Sequence, residues 1–536
     1  MLLKKNHLYL LSILSGLIFS LAWTNYSLGL FLLLAFVPLL LIENNLCNNK
    51  QKNHSFKMFG FSYLAFFVWH LISIWWIYNA SLFGMVMAVL FNSLFMAVVF
   101  WAFHIVKRKY GEKLGYISLV AFWIAFEYLH VNWELAWPWM NIGNGFSRNI
   151  RLIQWYEYTG TLGGSLWILV VNLMIFYLIK KKAIEKTIIK NYRIFLATLI
   201  SLIIIPILIS FSIYYTYNEH QKPVNIVVVQ PNIDPYNEKF GGMTAQDQLR
   251  KLLNLAVLKI DSNTEYLVCP ETALVDGLWE EDLSTSNSVI EIRKLIKQYP
   301  KLKIITGLSS YGMHKKGEKL LPAARKFTQE NAYYYSYNSA IQIDSTPNIQ
   351  IYHKSKLVLG VEKMPFAESL SFLKDIAIDL GGISGTLGIQ ENRSVFINSN
   401  NSTKVAPVIC FESVFGEFIG EYVKNGADFI FVITNDGWWK DTPGYGQHLS
   451  YSSLRAIETR RSIARSANTG ISCFVNQSGE ILQPTKWWEP AVIKASINKN
   501  TKITFYVTYG DYLGRLTAYL TLLILVYTIA FALKKQ

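Results

Sequence analysis

Long apolar runs fill both ends of this 536-residue chain, and shorter ones interrupted by polar residues fill its middle. Stretches of spanning length lie near 7–23, 27–43, 58–79, 82–106, 115–130, 163–179, 194–216 and 514–533. Each is close to the roughly 20 residues that carry a helix across a bilayer core. They predict eight transmembrane helices, seven before the middle part and one after it. The fifth, 115–130, is short and holds Glu127. A buried or re-entrant helix is the alternative there, because a carboxyl at bilayer depth is costly.

From Val224 the pattern changes to short runs with the period of strands, at 225–230, 266–269, 303–307, 333–343, 348–353, 405–410, 429–434 and 471–476. Amphipathic stretches near 244–259, 287–299, 414–425 and 446–466 separate them. Val/Ile-rich strands alternating with helices predict a layered α/β domain whose strands are buried on both faces. Residues 308–332 and 380–402, with Gly312, Gly381-Gly382 and Gly385, read as loops. The expected organisation is a membrane domain at 1–218, an extracytoplasmic catalytic domain at 219–511, and an eighth helix with a cytoplasmic tail at 512–536.

Charge orients this arrangement. The chain holds 51 Lys/Arg against 36 Asp/Glu, a net +15, yet residues 219–511 contain 31 and 30, leaving 20 and 6 for the membrane parts. Most of those 20 cluster at Lys4-Lys5, Lys50/Lys52/Lys57, Lys107–Lys113, Lys180–Arg193 and Lys534-Lys535. These are the N-terminus, every second loop and the C-terminus, so both termini are expected in the cytoplasm and the large insert outside. A basic balance confined to membrane loops excludes a nucleic-acid surface. Met1–Trp23 reads as an uncleaved signal anchor, because further spans follow at once. Of four cysteines, Cys47 falls inside and Cys269, Cys410 and Cys473 outside. That odd number leaves at least one thiol free, and Cys410 is expected to be it.

Three residues in the insert suggest chemistry: Glu271 in Pro270-Glu271-Thr272, Lys354 in Tyr352-His353-Lys354, and Cys410 in Val408-Ile409-Cys410-Phe411-Glu412. Alone, each reads as packing, a cap or a surface group. Together they fall at or just after the ends of strands of one α/β unit, where side chains from different strands converge on a cleft. Attack on an ester or amide carbonyl needs a thiolate, which a carboxylate can generate from Cys410 and a cation can stabilise. Glu271 is the candidate base, and Lys354 with the Phe411 amide the candidates for the oxyanion. No GxSxG, P-loop, HExxH or CxxC motif occurs. Neither a metal nor a cofactor is expected, and His448 reads as a hydrogen-bonding residue rather than a ligand or base.

These motifs, with Asn435-Asp436-x-Trp438, resemble in type and order those of the nitrilase superfamily, whose members carry a Glu-Lys-Cys trio on an αββα sandwich. With seven spans before the domain and one after, the whole chain resembles the apolipoprotein N-acyltransferase family. The resemblance carries a second functional carboxylate onto Glu362, eight residues after Lys354 as in the family. Pro-Phe-Gly of that loop is here Leu359-Gly360-Val361, and Pro365-Phe366-Ala367-Glu368 is a rival match. Phe411 stands where the family has tyrosine, while Glu412 matches. Phe240 best matches an aromatic, often Trp, after the first strand, and Trp438 and Trp439 are further candidates for meeting substrate.

The resemblance implies a phospholipid acyl donor, a thioester on Cys410, and transfer to the N-terminal amine of a diacylglyceryl-cysteine apolipoprotein, on the periplasmic side of a bacterial inner membrane. Membrane attachment suits such a reaction. Drawing a chain of about sixteen carbons into water costs on the order of 12 kcal/mol at ~0.8 kcal/mol per methylene. The rival expectations are a membrane-anchored amidohydrolase acting on a small amide and, from another class, a transporter in which the trio is incidental. The spans lack the paired charges a transport path favours. No feature sets an oligomeric state, and a monomer is the working expectation.

Overall fold

The computed structural model of the protein describes residues 4–48, 54–315, 317, 319–329, 331–363 and 386–533. Outside them lie Lys50, Lys52, Lys316, Lys534-Lys535, the glycines at 381, 382 and 385, and the rival motif Pro365–Glu368. Two compact units are present, one of residues 1–78, 82–217 and 509–536, the other of 79–81 and 218–508.

In the first unit seven helices among the described residues are long and apolar enough to cross a membrane: Lys5–Trp23, Gly29–Cys47, Ser55–Asn79, Leu82–Tyr110, Tyr156–Ile184, Tyr192–Thr216 and Tyr512–Phe531. The expected fifth span is a helix, Glu112–His130, but it is not one of these seven, so the count of eight spans is an approximation. Its Glu127 is fully buried and bonded, accepting from the Ile142 amide at 2.7 Å, Ser165 Oγ at 2.5 Å and Trp123 Nε1 at 3.1 Å. That carboxyl anchors the 3-10 turn Ile142–Phe146. Asn172 does similar work at Phe36, where the second span breaks. Its Oδ1 accepts the Phe36 amide at 2.8 Å while its Nδ2 donates to the Leu32 carbonyl at 2.8 Å, satisfying backbone groups that hydrocarbon cannot. Lys107 is buried on Glu43, which also meets His104 at 2.9 Å.

The second unit is a four-layer αββα sandwich. Among the described residues one sheet has eight strands, in the order β14-β1-β2-β4-β6-β5, with β3 also on β4 and β7 also on β6. The strands are β1 Pro223–Gln230, β2 Tyr266–Val268, β3 Leu274–Trp279, β4 Lys303–Met313, β5 Arg325–Lys326, β6 Tyr333–Ile343, β7 Gln350–His353 and β14 Ala491–Asn498. The other sheet runs β13-β12-β11-β10-β9-β8, from β8 Phe396–Ile397, β9 Lys404–Ile409, β10 Phe429–Thr434, β11 Ser462–Ala467, β12 Cys473–Val475 and β13 Ile481–Leu482.

Strand alternation explains the layers. Val227, Val229 and Leu267 point to one face of the first sheet and form a core with Leu249, Leu252, Val289 and Ile292 of the helices Ala245–Ala256 and Asn287–Gln298. Tyr266, one residue off, points the other way and meets the Phe431 ring of β10 at 5.3 Å. Ser466 Oγ of β11 donates to the Val229 carbonyl at 2.7 Å, a second link between the sheets. Helices Gly416–Lys424 and Pro443–Thr459 cover the second sheet.

The helix expected over 446–466 ends at Thr459. Arg460 takes a left-handed conformation, φ 51°, and Ser462–Ala467 is a fully buried strand, parallel to β10 on one side and antiparallel to β12 on the other. Its alternation of small and polar residues, Ser462-Ile463-Ala464-Arg465-Ser466-Ala467, does not separate buried strand from helix, since every member is buried.

Candidate active site

Strand ends supply the three candidate residues. β1, β2 and β4 are parallel, β6 is antiparallel to β4, and β7 is antiparallel to β6, so β2 and β7 end on the same side of the sheet. Glu271 lies just past β2 and Lys354 directly follows β7. Cys410 directly follows β9 and opens the 3-10 turn Cys410–Val414 with φ 49°. A left-handed non-glycine residue carries strain, and a sharp turn at a strand end brings a short side chain out of the sheet.

Two carboxylates share one ammonium. Lys354 Nζ lies 3.0 Å from Glu271 Oε1 and 2.8 Å from Glu362 Oε1, and the lysine is 1% exposed. The Asn338 amide of β6 donates to the same two oxygens, at 2.8 Å to Glu271 and 2.9 Å to Glu362, while the Asn338 carbonyl accepts the Lys354 amide at 2.8 Å. Glu362 Oε2 takes the Val358 amide at 2.8 Å, which closes the Leu359-Gly360-Val361 loop onto the lysine. Burial alone would push the Lys354 ammonium down; Glu271, Glu362 and Cys410 outweigh it and hold it well above the ordinary lysine range. Burial and Glu271 push the Cys410 thiol up, while Lys354 and a hydrogen bond with Thr434 pull it back. The resting group is therefore a thiol, and attack needs a base.

Glu412 lies behind the trio, fully buried. Its Oε1 accepts Tyr352 Oη at 2.7 Å and the Ser355 amide at 2.7 Å, and its Oε2 accepts the Ile409 amide at 2.9 Å. One carboxyl thus binds the segment carrying Lys354 to the strand carrying Cys410. Burial raises it, against those three donors. The Phe411 ring packs edge-on against Phe415, centroids 5.1 Å apart.

A second charged cluster supports the cysteine turn. Asp436 meets Arg465 at 2.7 Å and His448 Nδ1 at 2.9 Å; burial would raise this carboxyl, but Arg465 and His448 hold it down at about 2. His448 Nε2 lies 3.2 Å from the Cys410 carbonyl and 3.0 Å from Ser413 Oγ, so this histidine touches the backbone of Cys410. Phe240 stacks on Trp438 at 6.2 Å, and Tyr236 Oη donates to the Trp438 carbonyl at 2.7 Å. Trp439 turns to His448, ring centroids 5.5 Å apart. All four cysteines are free.

Sequence reasoning did not single out Asn338, Arg465 or Lys239. Asn338 sits inside a tyrosine-rich strand with no local motif, and its partners are 24 and 67 positions away.

A buried Glu–Lys pair beside a cysteine on a strained turn, at the strand ends of an αββα sandwich, has the parts that a thiol catalyst of nitrilase type needs. Residues 226–504, just over half of the chain, match the carbon-nitrogen hydrolase family, and the chain belongs to that family. Residues 15–174 match the apolipoprotein N-acyltransferase N-terminal domain. Over nearly its full length the chain is similar to the apolipoprotein N-acyltransferase of Chlorobaculum tepidum, 27% identical over 520 residues that cover 94% of this chain and 93% of the relative. It is likewise similar to that of Geobacter metallireducens, 26% identical over 524 residues, 94% and 92% of the two chains. A solved amidase of the nitrilase superfamily from Nesterenkonia aligns with 56% of this chain and 99% of its own, at 13% identity and a TM-score of 0.36.

Proposed function

We propose that the protein transfers a fatty acyl chain from a membrane phospholipid, through a thioester on Cys410, to the N-terminal amine of a diacylglyceryl-cysteine apolipoprotein. The observation that carries the chemistry is the Lys354 ammonium held between Glu271 and Glu362 beside a buried thiol. The relatives' names and the apolar helices support a lipoprotein acceptor and a lipid donor. In the first half-reaction Cys410 Sγ attacks the ester carbonyl as Glu271 takes the thiol proton. Lys354 and the Phe411 amide answer the charge on the carbonyl oxygen. Collapse breaks the ester C–O bond, and Glu271 gives its proton to the departing lysophospholipid alcohol. In the second half, the acceptor amine attacks the thioester, Glu271 removes its proton, and the thiol is regenerated with that proton. Glu362 and Glu412 brace the site rather than react, and Phe240, Trp438 and Trp439 meet the substrate. The catalytic unit lies on the periplasmic side of the inner membrane with both termini cytoplasmic, as the distribution of Lys and Arg between loops supports.

The test is intact-protein mass spectrometry after incubation with phospholipid and no amine. The protein should gain one fatty-acyl mass that neutral hydroxylamine removes. Cys410→Ala should gain nothing, and Glu271→Gln and Lys354→Ala should form the adduct at least ~100-fold more slowly. An adduct that persists in Cys410→Ala would overturn the assignment, and no adduct on the unmodified protein would overturn the reaction.

A further inference from the structure

Lys239 is 3% exposed, and among the described residues no carboxylate binds its ammonium. Its Nζ donates to the main-chain carbonyl of Glu271 at 3.1 Å and to Thr272 Oγ1 at 2.6 Å. Burial pushes the group down to about 8, with only the Glu271 charge pulling it back. Burying a lysine on neutral acceptors is costly, and an apolar side chain would fill the same space without that penalty. What it holds is unusual. Thr272 has φ 46°, a left-handed conformation that a β-branched residue adopts only under constraint. Lys239 grips this turn through the Glu271 carbonyl and the Thr272 hydroxyl. Gly307 of β4 lies against it as well, donating its amide to the Pro270 carbonyl at 3.1 Å.

The lysine's own backbone is fixed in turn. Its amide donates to the Asp234 carbonyl at 2.9 Å, and its carbonyl accepts Gln248 Nε2 from helix Ala245–Ala256 at 2.7 Å. Its chain neighbour Phe240 stacks on Trp438. One side chain therefore joins the aromatic loop 234–243 to the peptide that carries the candidate base.

We propose that Lys239 is a positioning residue for Glu271: it holds Thr272 in its left-handed conformation and so aims the Glu271 carboxylate at Lys354 and Cys410. The proposal rests on the acyl-transfer reading given above. Displacement of the loop that bears Phe240 reaches the base through this ammonium.

The test uses the full-length protein in vesicles of phosphatidylethanolamine and phosphatidylglycerol, and follows thioester formation against donor concentration. Lys239→Met should lower the saturating rate by ~10- to 100-fold, the scale of a reacting group displaced by about an ångström, with the half-saturating donor concentration changed less than about twofold. Thr272→Gly in the same background should recover at least about tenfold of that rate, because glycine takes positive φ without a tether. Thr272→Gly alone should keep most of the original rate. If Lys239→Met fails to insert, Lys239→Gln, which retains an N–H donor, replaces it and is expected to fall between the two. An unchanged rate in an inserted Lys239 variant, or a loss that glycine at 272 does not recover, overturns the proposal. Failure of the unmodified protein to form thioester would instead refute the reaction itself, and shows before any variant is compared.

Discussion

At Cys410 the local charges oppose one another. Burial and Glu271 raise the thiol while Lys354 lowers it, so removing the lysine leaves only the raising influences together with the weaker help of Thr434. Lys354→Met should therefore shift the pH dependence of alkylation by iodoacetamide to higher pH and slow it at any pH below the new midpoint. Alkylation at the original pH dependence would remove Lys354 from the thiolate's surroundings. Glu271, Lys354 and Cys410 were legible because each sits in a short motif beside an apolar strand, and their order along the chain is informative. Lys239 was not, because its importance lies in an acceptor 32 positions away and the eye goes to the aromatic residue beside it. Asn338 was hidden for a similar reason: an asparagine in a strand of tyrosines carries no sign that two carboxylates face it. Burial and long-range hydrogen bonds decide both roles, and neither is a local property of sequence.

Strand ends and the turns beyond them are what bring the site together. The turn carrying Glu271 lies against β4 with almost no clearance at Gly307. A methyl group there would come within 2.5 Å of the Thr272 nitrogen and 2.7 Å of the Glu271 Cα. Both are backbone atoms, so the turn itself must move. Gly307→Ala is expected to cost about 1–3 kcal/mol of stability, as overpacking does, and to reduce thioester formation. A thermal melt of detergent-solubilised protein beside the acylation rate would check it, and an unchanged melt and rate would show the turn can yield. The sequence predicted the central strands well, since runs such as Phe429–Thr434 are apolar throughout. It missed β3, β5, β8, β11, β13 and β14. β5, β8 and β13 have two residues each, too short for any period to register. β14, Ala491–Asn498, mixes Lys494, Ser496 and Asn498 with apolar residues, as an edge strand covered on one side does. β11 failed for the opposite reason, complete burial of polar residues, among them Arg465 and Ser466, that sequence reads as exposed.

Across the whole molecule, the arrangement of apolar runs was the most legible feature, because length and hydropathy alone define it. Its orientation can be checked directly. In intact cells a cysteine introduced at Lys186 should resist a membrane-impermeant thiol reagent, whereas one at Lys486, whose side chain is 80% exposed, should react. Equal labelling of both would refute the placement of the catalytic unit outside. One further property follows from the antiparallel pairing of β1 with β14, in which Pro223 stands opposite Asn498. The chain arrives from helix Tyr192–Thr216 and departs toward helix Tyr512–Leu533 through neighbouring rungs of one ladder. A force that parts those two strands at that end loads the ladder a rung at a time, from the Pro223–Asn498 pair inward, as a zipper is pulled. The same bonds stressed lengthwise would share the load. A pull on the departing chain does not reach those rungs first: beyond Asn498 the Asn500 side chain donates to the Arg460 carbonyl at 2.7 Å and Thr504 Oγ1 to the Glu458 carbonyl at 2.7 Å, and these bonds take the load before the ladder does.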